Sequence, residues 1–79
     1  MRLDKYLKLS RLIKRRTVAA DACDAGRVLV NGKPQKAAYN VRLNDLIEIR
    51  FGEKSVTVEV LSIEENVHKE AAAGMYRCV

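Results

Sequence analysis

The residues in this 79-residue chain most suited to chemistry are Lys14-Arg15-Arg16-Thr17, which open directly onto the stretch VAADACDAG. Thr17 reads as a helix N-cap, Val18 to Ala25 as a short helix and Gly26 as its C-terminal stop. Three consecutive cations would then stand at the positive end of a helix dipole, where anions are favoured and like charge costs up to ~1 kcal/mol. Arg forks onto an oxyanion through two N–H groups and Lys acts as a point charge. First-turn backbone N–H groups and the Thr17 hydroxyl add further donors. Phosphate is the counter-charge that such a set suits.

The rest of the charge pattern agrees. Residues 1 to 36 carry ten Lys/Arg against Asp4, Asp21 and Asp24, whereas residues 37 to 79 carry five Lys/Arg against seven Asp/Glu. A solvated charged face would interleave acids among its bases, and none stands between Lys5 and Ala20. The basic half is the expected contact surface for a polyanion.

Other chemistries find less support. Cys23 has no His at a partner spacing and is expected as a small buried apolar residue. Cys23 and Cys78 are expected to stay reduced, because the chain reads as cytosolic. With His68 they form no CxxC or HxxxH spacing, so neither a metal nor any other cofactor is expected, and His68 is assigned to a solvated tail. No carboxylate pair, catalytic triad or phosphate loop points to an enzyme. No apolar run approaches the ~18 residues of a membrane span. The opening MRLDKYLKLS lacks the apolar centre of a signal peptide, so a cytoplasmic protein with no membrane contact is expected.

The elements that must position these residues are legible in the periodicity. From Arg2 to about Ser10, Leu3, Tyr6 and Leu7 follow the i, i+3, i+4 spacing of one buried helix face, which assigns Tyr6 to the core. Leu12 and Ile13 anchor a short connection with Arg11, Lys14, Arg15 and Arg16 left outside. In the second helix Val18, Ala19, Ala22 and Cys23 share one face. After Gly26 the period becomes two, with Val28 and Val30 alternating against Leu29. Asn31-Gly32 then supplies a type I′ hairpin turn, and Pro34 makes the returning strand short or an edge. AAYNVRLND reads as a loop with Val41 and Leu43 touching the core. Ile47, Ile49 and Phe51 alternate in one strand and Val56, Val58 and Val60 in the next, joined tightly through GEK and therefore antiparallel. Beyond Ile63 the chain reads as a frayed tail or as a late strand around Met75 to Val79.

The fold class expected is α+β, with two short N-terminal helices packed on a small, mostly antiparallel sheet. The expected division is a domain over residues 1–63 and a C-terminal extension or tail over 64–79. With no Trp and one Phe, the core is expected from Leu, Val, Ile and Ala.

RLDKYLKLS, KRRTVAADACDAGRVLVNGKPQK and NDLIEI together resemble the RNA-binding domain named after small-subunit ribosomal protein S-four. That pattern is a helix opening Arg-Leu-Asp, an Arg-Thr or Arg-Ser helix start, a Gly-x-Val-x-Val-Asn-Gly strand and turn, and a Gly-Asp-x-Ile strand. The likeness covers residues 1 to about 51 and departs at Asn44, where Gly is usual; Asn tolerates the same left-handed backbone. It is greatest to the small stand-alone members that act in bacterial ribosome quality control. It implies a non-catalytic monomer that binds obstructed large ribosomal subunits, contacting rRNA and peptidyl-tRNA while a partner protein directs tailing of the stalled nascent chain. Heat-shock members of the family also bind obstructed subunits but carry a long basic C-terminal extension, whereas this C-terminal part is net acidic. Arg2 and Arg16 match the family's RNA-contacting positions. Lys5, Arg11, Lys14, Arg15 and Lys33 follow by proximity, and Asp4 is expected to orient a neighbouring Arg or to support the helix start. Tyr6 and Tyr39 are candidate stacking residues, with the core the better place for Tyr6. A helix-turn-helix DNA reader is the competing class, but VAADACDA offers Ala and Asp where base-reading side chains are needed.

Overall fold

A computed structural model describes residues 1–65, 72 and 74–79 of the chain. Helix α1 spans Leu3–Leu9 and α2 Arg16–Asp24. Strands β1 (Val28–Val30), β2 (Lys33–Pro34), β3 (Leu46–Phe51), β4 (Lys54–Val60) and β5 (Tyr76–Cys78) form one sheet in the order β2-β1-β3-β4-β5. Every pairing among the described strands is antiparallel. This is the α+β arrangement expected from the sequence, and of the two forms expected near the C-terminus the late strand is present as β5.

The start of α1 is capped by another part of the chain. Leu3 N–H donates to the Tyr39 carbonyl at 2.8 Å and Asp4 N–H to that of Ala37 at 3.3 Å, while Val41 N–H donates to Met1 O at 2.8 Å. Orphan donors of the first turn are thereby met by residues 37–41. Helix α2 ends where Gly26, with φ of +78°, follows Ala25. Gly26 N–H donates to Cys23 O at 3.0 Å and Arg27 N–H to Ala22 O at 2.9 Å, a Schellman arrangement that needs the left-handed residue.

Leu3, Tyr6 and Leu7 are fully buried and meet Ala19 and Cys23 of α2 and Val28, Val30, Ile47, Ile49, Val58 and Val60 of the sheet in one core. The small Ala19 and Cys23 let the helices lie close. Burial, with the nearby Asp4 and Asp24 charges, pushes the Cys23 thiol up to about 11, the behaviour of a packing residue and not of a nucleophile. Met75 joins the same core, and its carbonyl accepts from Leu61 N–H at 2.8 Å, Ser62 N–H at 3.2 Å and the Tyr6 hydroxyl at 2.6 Å. The C-terminal segment is thereby fastened to α1.

Asn31 and Gly32 both have positive φ, +53° and +84°, and β2 is a two-residue edge strand that includes Pro34, as expected. Several packing expectations need correction. Phe51 is 50% exposed and Val56 37%, although they alternate with core residues. Both lie toward the turn end of the β3–β4 hairpin, beyond the paired registers to β1 and β5, which end at Val28↔Ile49 and Val58↔Cys78. Leu43 is exposed because Asn44, at φ +72°, and the Asp45 carboxylate turn the backbone there. Val18 is exposed because the buried stripe of α2 is narrow, centred on Ala19 and Cys23. Leu29 is buried despite pointing away from Val28 and Val30, in a row between Pro34 and Glu48. His68, assigned to a solvated tail, lies outside the described residues.

Replacing Tyr6 with Phe removes one of three donors to the Met75 carbonyl and leaves the ring packing intact. The expected loss is about 1 kcal/mol of unfolding free energy, measured by denaturant titration, because the two N–H donors remain.

Candidate nucleic-acid interface

Asp4 lies on the same helix as Leu3, Tyr6 and Leu7, and its side chain is only 5% exposed. A buried carboxylate needs donors, and three groups supply them. Arg2 Nε donates to Oδ1 at 3.1 Å and Arg2 Nη2 to Oδ2 at 3.4 Å. Arg16 Nε donates to Oδ2 at 3.3 Å, and Lys5 N–H to Oδ1 at 2.8 Å. Asp4 thus bonds two arginines and the Lys5 N–H of its own first turn. Burial raises the Asp4 pKa, but the hydrogen bonds from Arg2, Arg16 and Lys5 N–H, with the Arg16 charge, outweigh it and hold the carboxyl below its ordinary value.

The two guanidiniums keep one side in solvent, with side-chain exposures of 53% for Arg2 and 47% for Arg16. Arg16 is held through Nε, so its two Nη groups make no hydrogen bond among the described residues. One carboxylate shared by two guanidiniums leaves a local surplus of positive charge.

Thr17 is not the N-cap. Arg15 is the last extended residue, at φ −119° and ψ 133°, Arg16 begins the helix, and no side chain caps it. The bond from Arg16 to Asp4 holds that residue against α1 and starts α2 ahead of Thr17, which falls within the first turn. No acid stands in that turn. Among the described residues the N–H groups of Arg16, Thr17 and Val18 meet no acceptor, and the first helical bond is Ala19 N–H to Arg15 O at 3.0 Å.

Lys14, Arg15 and Thr17 are exposed beside this helix start, and Arg11 is exposed in the turn between the helices. Lys5 is engaged elsewhere, its ammonium 3.0 Å from Glu65 Oε1. Lys33 sits on β2 at the edge of the sheet and makes no bond to the Asp4 group among the described residues. The structure thus joins Arg2, Asp4 and Arg16 directly, sets Lys14, Arg15 and Thr17 next to Arg16 in the chain, and leaves Lys5 and Lys33 outside that group.

Sequence reasoning missed a second polar cluster. Asn31 Nδ2 donates to Asp45 Oδ1 at 3.1 Å, and its Oδ1 accepts from Leu46 N–H at 3.0 Å. Asp45 Oδ2 accepts from the Tyr39 hydroxyl at 2.9 Å and from Arg42 N–H at 3.0 Å. Asn31 was legible as a turn residue and Asp45 as part of the Gly-Asp-x-Ile pattern, but the bond between them spans 14 positions and no local signal pairs them. Tyr39, the stacking candidate, has its hydroxyl committed to Asp45 and its carbonyl to the head of α1.

The sequence pattern of the S4 domain matches residues 1–47, which include every basic residue placed above. The chain belongs to the S4 domain family. Among curated S4 relatives it is 53% identical over 79 residues to the RQC P-site tRNA stabilizing factor of Streptococcus pneumoniae, covering 100% of this chain and 90% of the relative. It is 34% identical over 74 residues to heat shock protein 15 of Escherichia coli, covering 91% of this chain and 56% of the relative. The trimeric structure of Vibrio cholerae heat shock protein 15 superposes with a TM-score of 0.90 at 29% identity, covering 100% of this chain and 81% of that one. The two-helix, antiparallel-sheet fold is therefore that of a known S4-domain protein.

The Asp4 geometry has a pH signature. Its folded pKa lies below the ordinary 3.8, so its stabilisation is full above about pH 4 and is lost as pH falls through the folded value. Against Asp4→Asn, the parent chain is expected to be more stable by about 1–2 kcal/mol at neutral pH, the half-exposed arginine partners keeping the figure modest. Unfolding curves of the two proteins should converge as the pH is lowered below about 4.

Proposed function

We propose that this S4-domain chain is a non-catalytic RNA-binding factor of ribosome-associated quality control. In this reading it binds large ribosomal subunits obstructed by peptidyl-tRNA, contacts rRNA and tRNA together, and supports tailing of the stalled nascent chain by a partner protein. It acts as a cytoplasmic monomer. The observation that carries the reading is the convergence of Arg2 and Arg16 on buried Asp4 beside the uncapped start of α2.

That arrangement suits phosphate and not a reacting substrate. Two oriented guanidiniums offer forked donors, the first-turn N–H groups of α2 add dipolar donors, and Lys14, Arg15 and the Thr17 hydroxyl flank them. Lys33 at the hairpin edge extends the basic surface. Structured RNA is recognised through shape, phosphates and 2′-hydroxyls, which a compact basic helix pair can engage without reading bases. DNA reading is disfavoured by α2, whose exposed residues include Asp21 and Asp24, groups that a groove full of phosphates repels. The name of the Streptococcus relative supplies the ribosomal and P-site tRNA setting, and the high shared coverage supports carrying it over. The superposition on heat shock protein 15 favours a second reading, recycling of the same obstructed subunits without tailing.

Arg16→Ala is expected to weaken binding to purified large subunits carrying peptidyl-tRNA and to flatten the plot of log affinity against log salt by about 0.7–0.9 for each phosphate left unneutralised. Arg16→Lys keeps the charge but not the fork and should fall between. Equal affinity for duplex DNA at matched salt overturns the ribosomal reading. Nascent-chain tail addition that proceeds equally with and without this chain leaves the recycling reading in its place.

A further inference from the structure

At one end of the sheet this highly charged chain exposes three leucines: Leu43 at 53%, Leu46 at 42% and Leu61 at 45%. Single exposed apolar residues are ordinary, whereas a contiguous set marks an interaction surface. The strand pairing makes these contiguous. Leu46 stands opposite Glu59 in the β3–β4 ladder, and Leu61 follows Glu59 by two residues on the same face, which makes Leu46 and Leu61 diagonal neighbours. Val60 O accepts from Asn44 N–H at 2.9 Å and Val60 N–H donates to Asp45 O at 2.9 Å, so the turn that carries Leu43 lies against the end of β4, where Leu61 follows. Ile47 and Val60, the chain neighbours of Leu46 and Leu61, are fully buried in the core on the helix side of the sheet. Leu46 and Leu61 therefore point away from both helices.

The charges around the leucines are unevenly satisfied. Arg42 opens the same turn, and its exposed guanidinium makes no hydrogen bond or ion pair among the described residues. The Asp45 carboxylate is filled by Asn31, the Tyr39 hydroxyl and the Arg42 N–H. Glu59, opposite Leu46, accepts from Arg77 Nε at 2.7 Å. An apolar set beside one free cation is complemented by an apolar stripe flanked by a carboxylate, which is a protein surface. Leucines give RNA neither a stacking plane nor a donor. A second copy docked on the leucines about a two-fold axis would set Arg42 against Arg42.

We propose that Leu43, Leu46 and Leu61, with Arg42 at their rim, form the docking surface for the protein partner that adds the tail to the nascent chain. The inference rests on the quality-control reading above. Arg2 and Arg16 meet at Asp4 in the helix layer, whereas Leu46 and Leu61 lie on the opposite face of the sheet, so RNA and the partner can be held together.

The test uses the full chain as the double variant Leu46→Thr/Leu61→Thr and, separately, as Arg42→Glu. Affinity of the purified tailing partner is measured for large subunits that carry peptidyl-tRNA and are saturated with each protein. Affinity of each protein for the same subunits without the partner, its sedimentation and its thermal midpoint are measured alongside. Both variants are expected to keep the midpoint and the subunit affinity of the parent chain while partner affinity falls roughly tenfold or more. Unchanged partner affinity in both overturns the inference. A comparable loss of subunit affinity without the partner also overturns it, because the leucines then meet the ribosome itself. Self-association of the parent chain that the double variant abolishes assigns the surface to a second copy and overturns it too. Should the double variant lower the midpoint, Arg42→Glu, whose side chain touches no core residue, decides alone. If the parent chain itself leaves the partner's affinity for the subunits unchanged, the quality-control reading fails as well, an outcome distinct from variants that match an active parent.

Discussion

The buried Asp4 carboxylate sets the terms for the basic end of the molecule. It lies between Leu3 and Tyr6 in sequence, so the helix that buries those residues also takes the carboxylate out of water. Desolvating a charge is costly, and the cost is offset only if donors converge on it. Two of those donors are guanidiniums from different elements, Arg2 before α1 and Arg16 at the start of α2. A single acid thus fastens the two helices at their polar ends, while Ala19 and Cys23 join them in the core. It also fixes where the arginines stand, Arg2 through Nε and Nη2 and Arg16 through Nε alone.

A second carboxylate, Asp45, has a comparable part at the sheet. It ties the β1–β2 turn to the start of β3 through Asn31 and holds Tyr39 by its hydroxyl. Tyr39 in turn offers its carbonyl to Leu3 N–H at the head of α1, one residue from Asp4. A continuous run of hydrogen bonds and backbone therefore leads from the hairpin to the arginine pair. The Val-Asn-Gly and Asn-Asp motifs accordingly have a structural reading, since they position the helix that carries the basic residues, and the Asn31 and Asp45 side chains are committed within the fold.

What was legible in the sequence was local. The Leu3, Tyr6, Leu7 stripe, the Asn31-Gly32 turn, the Pro34 edge and the alternation of Ile47, Ile49, Val58 and Val60 depend on neighbours a few residues away. What escaped depends on distant chain. Phe51 and Leu29 obey the alternation rule, but their exposure is decided by where neighbouring strands end and what lies over them. The start of α2 at Arg16 follows from a bond to Asp4 twelve positions earlier. For the candidate site, charge density singled out Lys14 to Arg16, whereas the importance of Arg2 and Asp4 came from the resemblance to the S4 pattern. The left-handed backbone of Arg11, at φ +63°, was invisible, because an arginine after a helix gives no hint of it.

The awkward juxtaposition in Lys14-Arg15-Arg16 resolves into unequal parts. Arg16 is countered by Asp4, so its charge is partly neutralised at short range where the solvent screens least. Lys14 and Arg15 project into water, where screening over about 10 Å at ordinary salt keeps their repulsion small. The repulsion among these groups and the open N–H donors of α2 is thus a modest cost carried by the free protein, spread over exposed groups and compatible with a small core. The first-turn N–H donors of α2 lack an internal acceptor among the described residues. In the RNA contact proposed above, an approaching phosphate would meet a surface whose orientational freedom was already given up in folding, through Asp4 for the arginines and through helix geometry for the amides. Preorganisation of this kind favours binding without requiring any rearrangement of the core.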